Sequence, residues 1–206
     1  MSSRLRLVLL VSLPAVVCAA IGLLHPHHLT DATASIWQVM HLILIPLFPL
    51  VGLGPWLIAR RSRRPMGWVA AVGGYGFATF YTSLDLLAGV AAGTLQLAGV
   101  TEGKAPVYEV ARALGLIGVV SLVVACLAAT AAVAIRVRLR ALPGGVVAVI
   151  GACLVQPGHI YPGLGTAAML LLAAGLTLLA LAITSSMSSD RAPGTTKGPA
   201  SNAGPS

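Results

Sequence analysis

Charge is what this sequence has least of. Its 206 residues include five acidic side chains and 13 Lys or Arg, 9% charged in all, where soluble domains carry about 25%. With 57% hydrophobic residues and a mean hydropathy of +0.93, a water-soluble fold would expose large apolar patches. The class this leaves is a polytopic membrane protein. Cysteine is scarce too. Cys18, Cys126 and Cys153 each sit in an apolar stretch with no CxxC spacing, so they read as small buried hydrophobes and not as metal ligands. HExxH, GxSxG, the P-loop and a GxGxxG after a strand are all missing. Those absences remove the common signatures of zinc proteases, serine hydrolases and nucleotide-binding folds.

What is present is a basic balance, net charge +8. In a soluble chain that would suggest nucleic acid. Here the basic residues fall in short clusters between apolar runs, as the positive-inside bias produces, so the expected partner is the lipid bilayer and not nucleic acid. A homo-oligomer or another protein partner is compatible with the sequence, which does not specify one.

The expected fold is all-α: a polytopic membrane helical bundle of about six transmembrane helices. Apolar segments cover residues 5–24, 36–59, 66–92, 107–135, 144–161 and 164–184. Arg4 and Arg6 precede the first. Arg60, Arg61, Arg63 and Arg64 follow the second. Arg136, Arg138 and Arg140 follow the fourth, and Arg191 and Lys197 lie in the tail. With six spans every cluster lies on one side, which predicts a plasma-membrane protein with both termini in the cytoplasm. The same clusters can touch anionic lipid. Residues 1–184 form one helical domain in this reading, and the Ser/Gly/Pro-rich 185–206 a disordered cytoplasmic tail. The first segment reads as an uncleaved helix, kinked at Pro14. The fifth is short. Its apolar run "GGVVAVIGACLV" reaches about 18 Å against a hydrocarbon core of roughly 30 Å, so a re-entrant half-helix is the alternative.

On this topology the ionisable residues sort to the outer side. His25, His27, His28 and Asp31 occupy the first outer loop. His41 lies just inside the second span, Asp85 in the outer part of the third, and His159 near the outer end of the fifth. Charged groups at that depth usually face the bundle interior or a wet cavity. Arg112, at similar depth, is a candidate partner of Asp85, and an i,i+3 ion pair with Glu109 is its simpler alternative. Tyr75, Thr79, Thr82 and Asp85, at steps of four, three and three, predict one polar helix face. Ser35 with Gln38 predicts a capping box for the second helix, with an earlier start at Thr30 as the alternative. Pro46, Pro49 and Pro55 predict bends in that helix.

Neutral imidazole binds Zn, Cu or haem iron. A set drawn from His41, His159, Asp85 and one of His25, His27 or His28 has enough ligands for a metal site. Asp85 would be a ligand, an orienter or a catalytic general base. The leading functional expectation is therefore a membrane protein with an outward His/Asp pocket for a transition metal (Zn or Cu) or haem. A small transporter or channel lined by the polar third span is one alternative. A structural or accessory subunit packed through Gly115, Gly118, Ala125 and Ala129 is the other.

Overall fold

The computed structural model describes residues 1–62 and 64–189, and every element among them is helical. Helix α1 (Ser3–Gly22) is capped by the Ser2 hydroxyl, which accepts the Leu5 N–H at 3.2 Å and satisfies one of the four free donors of the first turn. It runs through Pro14 and stops at Gly22, before Pro26.

The second apolar segment is two helices, α2 (Ala34–Leu44) and α3 (Leu47–Ala59). Pro46 sets the break, because a proline has no N–H to continue the ladder and crowds the preceding turn. Pro55 is carried inside α3. The expected capping box is not formed. Thr33 stands at the N-cap of α2, so Ser35 lies within the helix. The Thr33 hydroxyl is committed to the loop instead: it accepts the Thr30 N–H at 2.9 Å and donates to the His28 carbonyl at 2.8 Å. Gln38 reaches across to Thr94 at 2.7 Å.

The third segment is one continuous rod with a change of winding. Helix α4 (Arg64–Leu84) passes into a π-helical stretch (Asp85–Ala91), then into α5 (Ala92–Leu97). Helix α6 (Lys104–Val137) ends where Arg138 takes φ 52°, and a single tight turn (Arg138–Ala141) leads into α7 (Leu142–Gly158). Helix α8 (Leu164–Ser189) closes the fold and continues past residue 184. Arg63 and residues 190–206, which hold most of the expected tail, lie outside the described residues.

Packing follows the small residues. Helix α4 lies along α6 and α3, α7 lies along α8 and α6, and α1 fills the space between α8 and α3. Phe48, Phe77 and Tyr81 are fully buried at the centre, with ring centroids 4.9 to 6.2 Å apart. Leu10, Leu13, Val72, Val120 and Val146 point outward, as a lipid-facing surface requires.

Among the described residues, four helical segments are long and apolar enough to cross a membrane: Ser3–Gly22, Ala34–Ala59, Lys104–Gly158 and Leu164–Ser186. The difference from six has two sources. The 64–97 rod, rich in Gly, Thr and Tyr, is not among the four. Helices α6 and α7 fall within a single 55-residue segment.

Candidate metal centre

The centre is built where four chain segments meet: the loop after α1, the last turn of α2, the π-helical stretch, and the end of α7. His25, His41 and His159 each place a ring nitrogen within 4.8 Å of the other two. An Asp85 carboxylate oxygen lies 3.9 Å from His41 Nε2 and 4.0 Å from His159 Nε2. His25, His41 and Asp85 are 3%, 1% and 0% exposed, while the His159 side chain retains 14%.

Each imidazole is oriented by its other nitrogen. His41 Nδ1 meets the Trp37 carbonyl at 2.6 Å, and His25 Nδ1 meets the Pro26 carbonyl at 2.7 Å. A carbonyl only accepts, so both Nδ1 atoms carry the proton and both Nε2 atoms present a lone pair. The Tyr81 hydroxyl donates to the Val155 carbonyl at 3.3 Å and lies 2.8 Å from His159 Nδ1. The tautomer that leaves His159 Nε2 free is the one in which this hydroxyl, its proton turned to Val155, accepts from Nδ1–H. A backbone or hydroxyl partner on the far nitrogen is the usual arrangement behind a metal-ligating histidine.

The inward-facing atoms lack partners. His25 Nε2, His41 Nε2 and both Asp85 oxygens are buried without a hydrogen bond. Separations of 3.9 and 4.0 Å exceed the roughly 2.7–3.2 Å of a hydrogen bond. Four buried polar atoms on three side chains therefore converge without satisfying one another, an arrangement that costs free energy unless something is bound between them.

Local structure explains how the residues arrive. His41 lies flat on the π-helical stretch, where a Cβ on Gly89 would stand 2.1 Å from its ring. Trp37 stacks on His41 at 5.1 Å, and its indole N–H donates to the Ala88 carbonyl at 3.1 Å. A π-turn shifts the side chains after it relative to a regular helix and is often found at functional sites. The loop after α7 reaches the loop after α1 through Gly22, whose missing Cβ would meet the Ile160 carbonyl at 2.3 Å. His159 itself has φ 42°, a left-handed conformation that costs a non-glycine residue on the order of 1–3 kcal/mol and needs surrounding structure to hold it. His25 lies in the loop between α1 and α2. Burial holds its imidazole below the ordinary value, partly offset by the Pro26 carbonyl bond.

Of the expected site residues, His25, His41, His159 and Asp85 come together. His27 and His28 do not: both are exposed on the loop. Arg112 is not the partner of Asp85. It is exposed on α6, and the basic groups within 4.0 Å of Asp85 are His41 and His159. The expected polar face of the third span is also corrected. Tyr75 is 74% exposed and Thr79 is exposed, whereas the buried face carries Phe77, Tyr81 and Asp85 at i, i+4 and i+8. At 100° per residue Asp85 stands about 80° around the helix from Tyr75. Tyr81 is the residue the sequence reading missed. Its signal was available in that i+4 spacing from Asp85, but its partner comes from 78 residues away.

Compared with protein-family models, with curated proteins and with solved structures, the chain matches none. The functional argument rests on the geometry.

Proposed function

We propose that this protein is a six-helix integral membrane protein of the plasma membrane that holds one transition-metal ion, zinc or copper, in its outer half. The ligands are Nε2 of His25, His41 and His159 and a carboxylate oxygen of Asp85. The observation that carries this is the convergence of three imidazoles beside one carboxylate, with His25 Nε2, His41 Nε2 and both Asp85 oxygens buried and unpartnered and the far nitrogen of each histidine in contact with an oxygen. A divalent cation supplies the positive charge that a buried carboxylate needs. In a tetrahedral zinc site the ligand atoms stand about 3.3 Å apart, so the ion would draw Asp85 toward His41 and His159 from 3.9 and 4.0 Å, and the imidazoles toward one another from separations of up to 4.8 Å. Haem suits the site less well, because Trp37, Tyr161 and Tyr81 pack around the imidazoles where a porphyrin would lie.

The six-span count is supported by where the ends lie. The segment after α1, helix α2 through His41, the end of α7 and the approach to α8 all meet at the centre. The Arg-rich turns after α3 and α6 lie at the other ends of those helices. That arrangement favours α7 as a full crossing over a re-entrant loop, and puts both termini on the basic, cytoplasmic side. Tyr81, Phe77 and Phe48 fill the bundle between the centre and that side, which favours a site served from outside over a path through the bilayer.

The test is metal analysis of the detergent-purified protein carrying a tag without histidine. Near one equivalent of zinc or copper, lost in His41→Ala and in Asp85→Asn, is the expected result. Wild-type protein that retains no metal after incubation with zinc and copper would overturn the proposal.

A further inference from the structure

A groove lies at the opposite end of the bundle, between α3 and α4. Two cavities there, of about 450 and 420 Å³, share Trp56 and Ala71 as lining residues and so form one continuous groove. The part nearer the middle of the bundle is apolar, between Pro49 and Gly52 of α3 and Gly74 and Ala78 of α4. The part at the helix ends is lined by Arg60 and Trp68. The groove has a structural cause. A Cβ on Gly74 would stand 2.3 Å from the Gly52 carbonyl, so the two helices touch backbone to backbone there. Glycines supply no side chains to fill the flank of such a crossing.

The groove has a cationic head and an apolar tail. The Arg60 guanidinium sits over the Trp56 ring, 4.7 Å from its centre, which fixes a charge at the groove mouth. Arg61 follows it, with its Nε buried and without a hydrogen-bond partner. Trp68, 72% exposed on the facing helix, is placed as an interfacial aromatic. From Arg60 back to Pro49 is 11 residues, about 16 Å of helix, or roughly half of a 30 Å hydrocarbon core. That is the depth of one leaflet.

We propose that this groove binds one anionic glycerophospholipid of the cytoplasmic leaflet, its phosphate on Arg60 and one acyl chain along Gly52, Gly74 and Ala78. Charge complementarity selects the head, and the length of the apolar channel matches a single chain. The leaflet rests on the membrane orientation proposed above, whereas the metal centre plays no part, so loss of metal binding leaves the lipid site standing.

The experiment is native mass spectrometry of the full-length protein titrated with phosphatidylglycerol or phosphatidylcholine. Wild type should retain one phosphatidylglycerol at lower lipid concentration than phosphatidylcholine, by about fivefold for one well-placed arginine. Arg60→Gln should remove that preference, and Arg4→Gln should leave it intact. Ala71→Leu, which fills the waist shared by the two cavities, should weaken retention of both lipids. Equal retention of the two lipids by wild type, an unchanged preference in Arg60→Gln, or undiminished retention in Ala71→Leu would each overturn the proposal.

Discussion

His41 Nε2 lies 3.9 Å from a carboxylate oxygen of Asp85, and both side chains are closed to solvent. The gap is too long for a hydrogen bond and too short to hold a water in line between them. It suits a cation that draws both ligands inward. His159 stands in the same relation to the same oxygen, at 4.0 Å. One carboxylate thus faces two imidazoles that present lone pairs, and His25 completes the set.

The ligand assignment predicts a graded series. His41→Ala, His159→Ala and Asp85→Asn should each weaken zinc binding by at least about 100-fold, since even residues behind the ligands are worth roughly 10–100-fold. His27→Ala and His28→Ala, on the exposed loop, should bind as wild type does. Competition against a chromophoric chelator measures both groups. Equal losses in the exposed and the buried histidine variants would refute the assignment.

Tyr81→Phe should lower metal affinity roughly 10–100-fold by freeing His159 to rotate, while leaving the helical fold intact. The ring would still pack on Phe48 and Phe77, whose centroids lie 4.9 and 5.0 Å away. Affinity by competition, read beside the melting temperature, separates the two effects. A large fall in melting temperature with no change in affinity would assign Tyr81 to packing alone.

Gly89→Ala tests the seat of His41. An added Cβ would stand 2.1 Å from the ring, so the imidazole or the helix must move. Overpacking of this kind costs about 1–3 kcal/mol, and the displaced ligand should weaken metal binding as well. Wild-type affinity and melting temperature in this variant would mean that α2 and the π-helical stretch are not packed as described.

Acid should undock the loop between α1 and α2. Burial lowers the His25 pKa below its ordinary 6.5, so the docked loop binds fewer protons than the undocked one just below pH 6.5. Docking therefore strengthens as pH rises to about 6.5, levels off above it, and is lost on acidification. Trp37, whose ring lies 4.7 Å from that of His25, reports the change by fluorescence. The metal-free protein should show a transition below pH 6.5 that His25→Gln flattens. An unaltered transition in His25→Gln would assign the proton elsewhere.

Some of this was legible in the chain. Hydropathy identified the helical membrane class, because twenty apolar residues in a row leave few other folds. Prolines mark a bend where α2 and α3 part, and the one-sided gathering of histidines points to His41, His159, Asp85 and one of His25, His27 or His28. The misreadings share a cause. Helical spacing aligns Tyr75, Thr79, Thr82 and Asp85, yet lipid tolerates a tyrosine at a helix surface and the bundle centre takes Phe77 and Tyr81. Arg112 was paired with Asp85 by depth, but depth says nothing about rotation around the helix axis.

The sequence by itself determined the class of protein, the order of its helices and the end of the bundle where titratable groups collect, since these depend on local hydropathy and on breakers such as Pro46. Only the tertiary structure decided which histidines meet. His25 and His28 are three residues apart in one loop, and one is buried in the centre while the other is exposed. That choice depends on Gly22 admitting the Ile160 backbone and Gly89 admitting the His41 ring. Such contacts join residues 48 to 138 positions apart, and no local pattern encodes which of them will touch.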